Sequence, residues 1–332
     1  MTDAAHSLKL VFCGTPQFAL PTFASLVAAG HQISLVVSQP DRPVGRDQQI
    51  APTPVKQAAL AAGLAVTQPE KIRNNADFRA QLEAIAPDAI VVVAYGRIIP
   101  PWMLALPRMG CINLHASLLP KYRGAAPIQW AIAMGDAFTG NTTMLLEEGL
   151  DTGPILLQQT HEIGPEQSAT ELFPVLADAG APLVVETLAG LAAGTLQPQP
   201  QNHEGATYAP LLNREDGRMD FATHTATELW NRWRGFQPWP GAFTTLDGKK
   251  LIVHRMEVVD TPGSQESTTA KSAPILPGQI RIQDHRLLVA CAGNTWLELI
   301  EVQLEGKKRL AAAEFLRGIA LPANARFGAL TQ

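Results

Sequence analysis

Two polar side chains stand at alternate positions of the short apolar run Cys111-Ile112-Asn113-Leu114-His115. In a strand alternate residues share a face, so Asn113 and His115 point one way and Ile112 and Leu114 the other. A neutral imidazole there can take up a proton, and a carboxamide N–H can stabilise an oxyanion as it develops. A His and an Asn at the end of a core strand can equally be satisfied by backbone groups, and spacing alone leaves both readings open. A carboxylate follows in Gly149-Leu150-Asp151-Thr152-Gly153, where flanking glycines permit close backbone approach and unusual torsions. Brought to His115, Asp151 would fix the imidazole tautomer and favour its charged form. Left by itself, an Asp-Thr-Gly is an Asx turn. Glu147 and Glu148 read as a solvated strand end, and the other histidines show no ligand spacing.

Three further stretches hold candidate chemistry. Gln39–Pro54 is a Pro-rich loop carrying Arg42 and Arg46, long enough to be functional, or else a tolerated surface insertion. Cys13-Gly14-Thr15-Pro16 reads as a tight turn with Thr15 as helix N-cap and Pro16 at N1. It is not a GxGxxG, and the run Leu35–Val37 does not end in an acidic residue, which sets dinucleotide binding aside. Trp230, Trp233, Phe236 and Trp239 resemble a base-stacking set, but the helical spacing of Trp230 and Trp233 favours core anchors.

The elements that must position these groups are legible as two patterns. LKLVFC, ISLVV and AIVVVA are near-continuous apolar strands, the signature of a parallel sheet covered on both faces. PTFASLVAAG, PTPVKQAALAAG and NADFRAQLEAIA between them fit helices, the first two closed by glycine. Strand–helix–strand repetition predicts a doubly wound α/β sheet, with Asn113 and His115 near its carboxyl ends, where ligand crevices form. Ser168 to about Ala193 reads as a helix broken at Gly180-Ala181-Pro182. TLQPQPQNHEGATYAP reads as a linker. Beyond it GAFTTL, LIVHRMEVV, GQIRI, RLLVA and TWLELIEV predict a small all-β barrel or sandwich, with TPGSQESTTAKSAP as a flexible loop. The expected organisation is a catalytic domain over 1–194, a linker over 195–212 and a β domain over 213–332.

With 46% hydrophobic and 17% charged residues in 332, the chain can bury a large core and is not disordered. A formal net charge of −4 excludes an evidently polybasic nucleic-acid binder. The charge is uneven, however. Residues 1–210 hold 11 basic and 17 acidic side chains, net −6, and residues 211–332 hold 15 and 13, net +2. That makes the second half the better nucleic-acid face. Three dispersed cysteines argue against a disulfide framework or a thiolate zinc site and suit a reducing cytosol. The N-terminus has no secretory pattern, and the longest uninterrupted apolar run, Ala89–Tyr95, is too short to span a bilayer.

The ordered set GTPQFA, SQPDRPVGR, VVVAYGRIIP, GCINLHASLLPKYRGAAPIQWAI and EEGLDTG closely resembles the methionyl-tRNA formyltransferases. FQPWPGA and the late GKKR resemble that family's C-terminal domain, so the likeness covers nearly the whole chain. It implies a Rossmann-like formyltransferase domain followed by an oligonucleotide-binding-like (OB-like) barrel that contacts tRNA. It also implies transfer of formyl from 10-formyltetrahydrofolate, as co-substrate, to the α-amine of methionyl initiator tRNA, with no metal. Asn113, His115 and Asp151 match the family's catalytic trio. Ser117, Leu118, Leu119 and Pro120 match its folate-binding stretch, with Tyr95, Gly96 and Arg97 walling the pterin pocket. Arg46, with Arg42 nearby, matches the loop that approaches the acceptor stem. The lysines familiar after Gly45-Arg46 are replaced by Asp47-Gln48-Gln49, which weakens that loop's attraction for phosphate. A cytoplasmic monomer with no membrane partner is expected. A sugar or glycinamide ribonucleotide formyltransferase would share the trio without needing the tRNA-facing loop or barrel. A non-enzymatic RNA-binding module would leave the trio without purpose.

Overall fold

A computed structural model describes residues 7–44, 49–260, 275–322 and 324–328. The expected flexible loop TPGSQESTTAKSAP and the candidate Arg46 lie outside the described residues. The chain forms two compact units. The first takes residues up to Ile128, Ala137–Ile163 and Glu171–Pro210, and the second takes Gln129–Asp136, Gly164–Thr170 and residues from Leu211 on.

The first unit is built on seven strands: β1 Lys9–Gly14, β2 Gln32–Val37, β3 Val66–Thr67, β4 Ala89–Val93, β5 Cys111–His115, β6 Phe138–Leu145 and β7 Ile155–Glu162. Their spatial order is β7-β6-β5-β4-β1-β2-β3. Five are parallel; β6 adds antiparallel to β5 and β7 antiparallel to β6, giving a Rossmann-like mixed sheet. All five residues of β4 and all five of β5 are buried; β4 accordingly reads as an unbroken apolar run, whereas β5 buries the polar Asn113 and His115. Helices α1 Leu20–Ala28, α2 Pro54–Ala61 and α3 Ala76–Ile85 fall where the sequence places them. The side chains of Thr53 and Asn75 cap the last two by accepting from Lys56 N and Phe78 N.

Three expectations need correction. Thr15 caps no helix; its hydroxyl donates to the Tyr95 carbonyl and accepts from Gln39 N, tying together the ends of β1, β2 and β4. Helix α4, Ala169–Ala192, runs unbroken through Pro174 and Pro182. Gly180 decides this: a Cβ there would meet Leu114 Cδ2 at 2.7 Å and Asn141 Cγ at 3.2 Å, so the glycine lets the helix lie close on β5 and β6. The contact is reinforced by hydrogen bonds from Asn141 Nδ2 to Leu176 O and between the Thr143 and Thr187 hydroxyls. At 24 residues this helix is long and apolar enough to cross a membrane, and its buried residues Leu172, Leu176, Val184 and Leu188 serve the core. Finally, the stretch read as a linker is folded onto the first unit as far as Pro210. Gln199 bridges Ile155, and Tyr208–Ala209 pairs in parallel with Arg123–Gly124. Of the stretch's glutamines, Gln201 donates to the Asp151 and Gly153 carbonyls of the first unit.

The second unit carries an antiparallel sheet: β8 Ala242–Leu246, β9 Lys249–Val259, β10 Ile280–Gln283, β11 Arg286–Ala290 and β12 Trp296–Leu304, in the order β8-β9-β12-β11-β10. The helix Ala226–Gly235 begins in a capping box of Thr225 and Glu228 and contributes Leu229 to a core with Leu251, Val253, Leu297, Leu299 and Phe315. Trp230 and Trp233 pack against that core, whereas Trp239 is exposed.

Candidate active site

The chain lays β1, β2 and β3 in one direction across the sheet, then returns to place β4 and β5 on the far side of β1. Such a reversal opens a crevice beyond the carboxyl ends of the strands. The loop after β4 stands there with Ala94 and Gly96 in the left-handed region, at φ 46° and 76°. Gln39 bridges to it, its Nε2 donating to the carbonyls of Tyr95 and Gly96 and its Oε1 accepting from Arg97 Nε. Tyr95 itself is only 2% exposed and packs with Cys13, Val37 and Met103, so its ring faces the core rather than walling a pocket. Burial pushes its phenol well above the ordinary value.

On β5, Asn113 and His115 share a face and are both buried, 8% and 6% exposed. Leu114, on the other face, meets Gly180 of α4. His115 Nε2 lies 2.9 Å from the carbonyl oxygen of Tyr122. A carbonyl only accepts, so Nε2 carries a proton and Nδ1 is left for exchange. Nδ1 lies 3.8 Å from Asp151 Oδ2, a charge contact longer than a hydrogen bond. Among the described residues the Asn113 carboxamide has no hydrogen-bond partner.

Asp151 reaches this position by an indirect route. β6 runs antiparallel to β5, so its last residue, Leu145, sits opposite Ile112, and the following turn must come back along the sheet. Gly153 makes the return possible, because a Cβ there would run into the Leu145 carbonyl. Asp151 has φ 50°, and its Oδ2 accepts from Gly124 N at 2.7 Å.

The Ser117–Pro120 stretch is held from beneath. His115, Thr142 and Gln158 occupy one row across β5, β6 and β7. The Thr142 hydroxyl donates to Ser117 O and accepts from Leu119 N, while Gln158 Nε2 donates to Leu119 O and Thr142 Oγ1. Ser117 Oγ donates to Lys121 O, and the Leu119–Pro120 bond is cis. The structure thus brings Asn113, His115, Asp151 and the 117–120 stretch together. Arg42 lies in a surface hairpin, Arg42–Val44 with Gln49–Ala51, paired at 3.5 Å with exposed Glu70 and contacting none of the trio. Thr142, Gln158 and the Gly124 amide went unnoticed in the sequence. Alternation along FTGNTTML puts Thr142 on one face, but cross-strand register decides what it faces.

Residues 8–188 match the family model described as formyl transferase, and residues 211–320 match the formyl transferase C-terminal domain. The chain is 62% identical over 322 residues to the methionyl-tRNA formyltransferase of Acidobacterium capsulatum, covering 97% of this chain and all of that one. It is 57% identical over 309 residues to the methionyl-tRNA formyltransferase of Koribacter versatilis, covering 93% and 95%. Among solved structures it resembles an N-formyltransferase from Helicobacter canadensis in complex with folinic acid and dTDP-3-aminofucose, with a TM-score of 0.62, 17% identity, and 88% and 98% covered. It also resembles HypX from Aquifex aeolicus in complex with tetrahydrofolic acid, with a TM-score of 0.57, 16% identity, and 94% of this chain and 47% of that one covered. At these identities the structural likenesses speak for the fold.

Proposed function

The chain belongs to the methionyl-tRNA formyltransferases of the formyl transferase family, and from that membership we propose how its own residues carry the reaction. It transfers the formyl group of 10-formyltetrahydrofolate to the α-amine of methionyl initiator tRNA, giving the N-formylmethionyl-tRNA used to begin translation. The observation that carries the residue assignment is the largely buried Asn113 side chain beside the His115–Asp151 pair at the switch point of the sheet.

The donor supplies the one-carbon unit and an amine leaving group that needs only a proton, so the chemistry calls for no metal. Asn113 Nδ2 donates to the oxygen that gains charge when the amine adds to the formyl carbon. His115 Nδ1 takes the proton the amine sheds and returns it to the departing nitrogen. Asp151 stabilises the imidazolium that exists between those two events. Tyr122 O keeps the ring from turning, so the same nitrogen serves both transfers. The Ser117–Pro120 stretch, held by Thr142 and Gln158, and the backbone around Gly96 bound the space for the pterin. We read the second unit as the tRNA-contacting part and the whole as a cytoplasmic monomer.

Purified protein given 10-formyltetrahydrofolate and charged initiator tRNA should release formylmethionine on mild deacylation. Formylation of an amino-sugar nucleotide, with none of the tRNA, would overturn the reading.

Arg46 and Arg42 are proposed to supply the positive charge of the acceptor-stem loop, since Asp47-Gln48-Gln49 carry none. Arg46→Ala should lower kcat/KM for methionyl-tRNA by roughly 5–100-fold, the weight of one charge-assisted contact, and leave binding of a folate analogue unchanged. The measurement is steady-state kinetics beside a folate titration. Equal tRNA kinetics for the two proteins would reduce the loop to a surface insertion.

A further inference from the structure

Asp151 is held at both ends, by the Gly124 amide and by Gln201, a residue outside the motifs quoted above. Its carboxylate accepts from Gly124 N, and its own carbonyl accepts from Gln201 Nε2 at 2.9 Å. The same Gln201 nitrogen donates to Gly153 O at 2.7 Å, spanning the turn that carries the aspartate. Gln201 Oε1 accepts twice from Arg123, from Nε at 3.1 Å and Nη2 at 2.6 Å. Arg123 Nη2 also meets Nδ1 of exposed His203 at 3.1 Å. Gln201 and Arg123 are buried, 6% and 2% exposed. A guanidinium only donates and a peptide carbonyl only accepts, so the Gln201 amide has one permitted orientation.

This arrangement has a purpose beyond filling the fold. Asp151 sits in the left-handed region, which a non-glycine residue holds only when its surroundings enforce it. Its carboxylate lies 3.8 Å from His115, beyond hydrogen-bond length, so small movements of the turn change that distance proportionately. Arg123 precedes Gly124, the donor to the carboxylate, and the pair is laddered to Tyr208–Ala209, seven and eight residues beyond Gln201. One short piece of chain thus grips the side chain of Asp151, and the glutamine it clamps grips the main chain.

We propose that Gln201, locked by Arg123, is a positioning residue for formyl transfer that sets the Asp151 carboxylate against His115. This deepens the assignment of His115 and Asp151 above and rests on it. A glutamine that only stapled residues 195–210 to the sheet would add stability without touching the chemistry.

The test is a double-mutant cycle in the full-length protein with Gln201→Glu and Asp151→Asn. Glutamate keeps the length and the acceptor for Arg123 but offers no N–H to the two carbonyls. Alone, Gln201→Glu should lower kcat by about 10–100-fold, hold KM for both substrates within about twofold and shift the acid limb of the kcat–pH profile. In the Asp151→Asn background it should cost less than threefold, because what it positions is already gone. Equal costs in both backgrounds with an unmoved pH profile would overturn the inference while leaving the formyltransferase reading intact. Near-wild-type turnover by Asp151→Asn itself would remove both. Should Gln201→Glu not fold, Arg123→Lys takes its place in the cycle. It retains the charge but cannot hold Oε1 with two N–H groups at once.

Discussion

His115→Ala should lower kcat for formylation of methionyl-tRNA by about 10²–10⁴, the usual weight of a positioned general acid–base group. The loss belongs in kcat, because the imidazole's exchangeable nitrogen acts only while protons move. The substitution also carries a structural cost. Nε2 is the donor to Tyr122 O at a buried site, and the substitution deletes that hydrogen bond, worth about 0.5–1.5 kcal/mol. A modest fall in melting temperature should therefore accompany the kinetic defect, and both are read on one preparation by thermal melting and saturating kinetics. Turnover within tenfold of wild type, in protein shown to be folded, would remove His115 from the proton path.

Asn113→Ala should cost about 10²–10³ in kcat, the range for losing one oxyanion donor, with donor affinity little changed. Here the stability forecast runs the other way. The side chain is 8% exposed and makes no hydrogen bond among the described residues, so deleting the carboxamide breaks none of the protein's own hydrogen bonds. The alanine protein should melt at or slightly above the wild-type temperature, as expected where a functional group is kept at the expense of stability. A clear drop in melting temperature with turnover intact would reassign Asn113 to the core.

These assignments were legible in the sequence to different depths. The apolar runs of β1, β2 and β4 and the helical stretches between them announce a parallel sheet. The alternation Asn113/His115 and the glycine-flanked Asp151 carry enough of the family pattern to name the trio. Local sequence does not say how far a turn travels, so the return of Asp151 past Leu145 to His115 had to be seen. Nor does it tell an aromatic at a strand end which way to point, and Tyr95 chose the core. Gly180 and Pro182 read as a break on local propensity, which the close packing of Gly180 on Leu114 and Asn141 overrides. Polar, proline-rich text such as residues 195–210 resembles a tether until the buried acceptors it serves are known.

The ladder between Arg123–Gly124 and Tyr208–Ala209 carries a consequence for biosynthesis. Tyr122 and Thr207, hydrogen-bonded at 2.9 Å, are 85 residues apart in the chain. A nascent polypeptide grows at about 5–20 residues per second, so the strand bearing His115 waits roughly 4–17 s before its last supports are made. Closing so long a span is entropically slow, which places completion of the candidate active site among the late events of maturation. A polypeptide arrested near residue 194 would already have all seven strands of the first sheet, yet it would lack Gln201, Thr207 and Ala209. During translation the enzyme therefore becomes compact before it becomes competent.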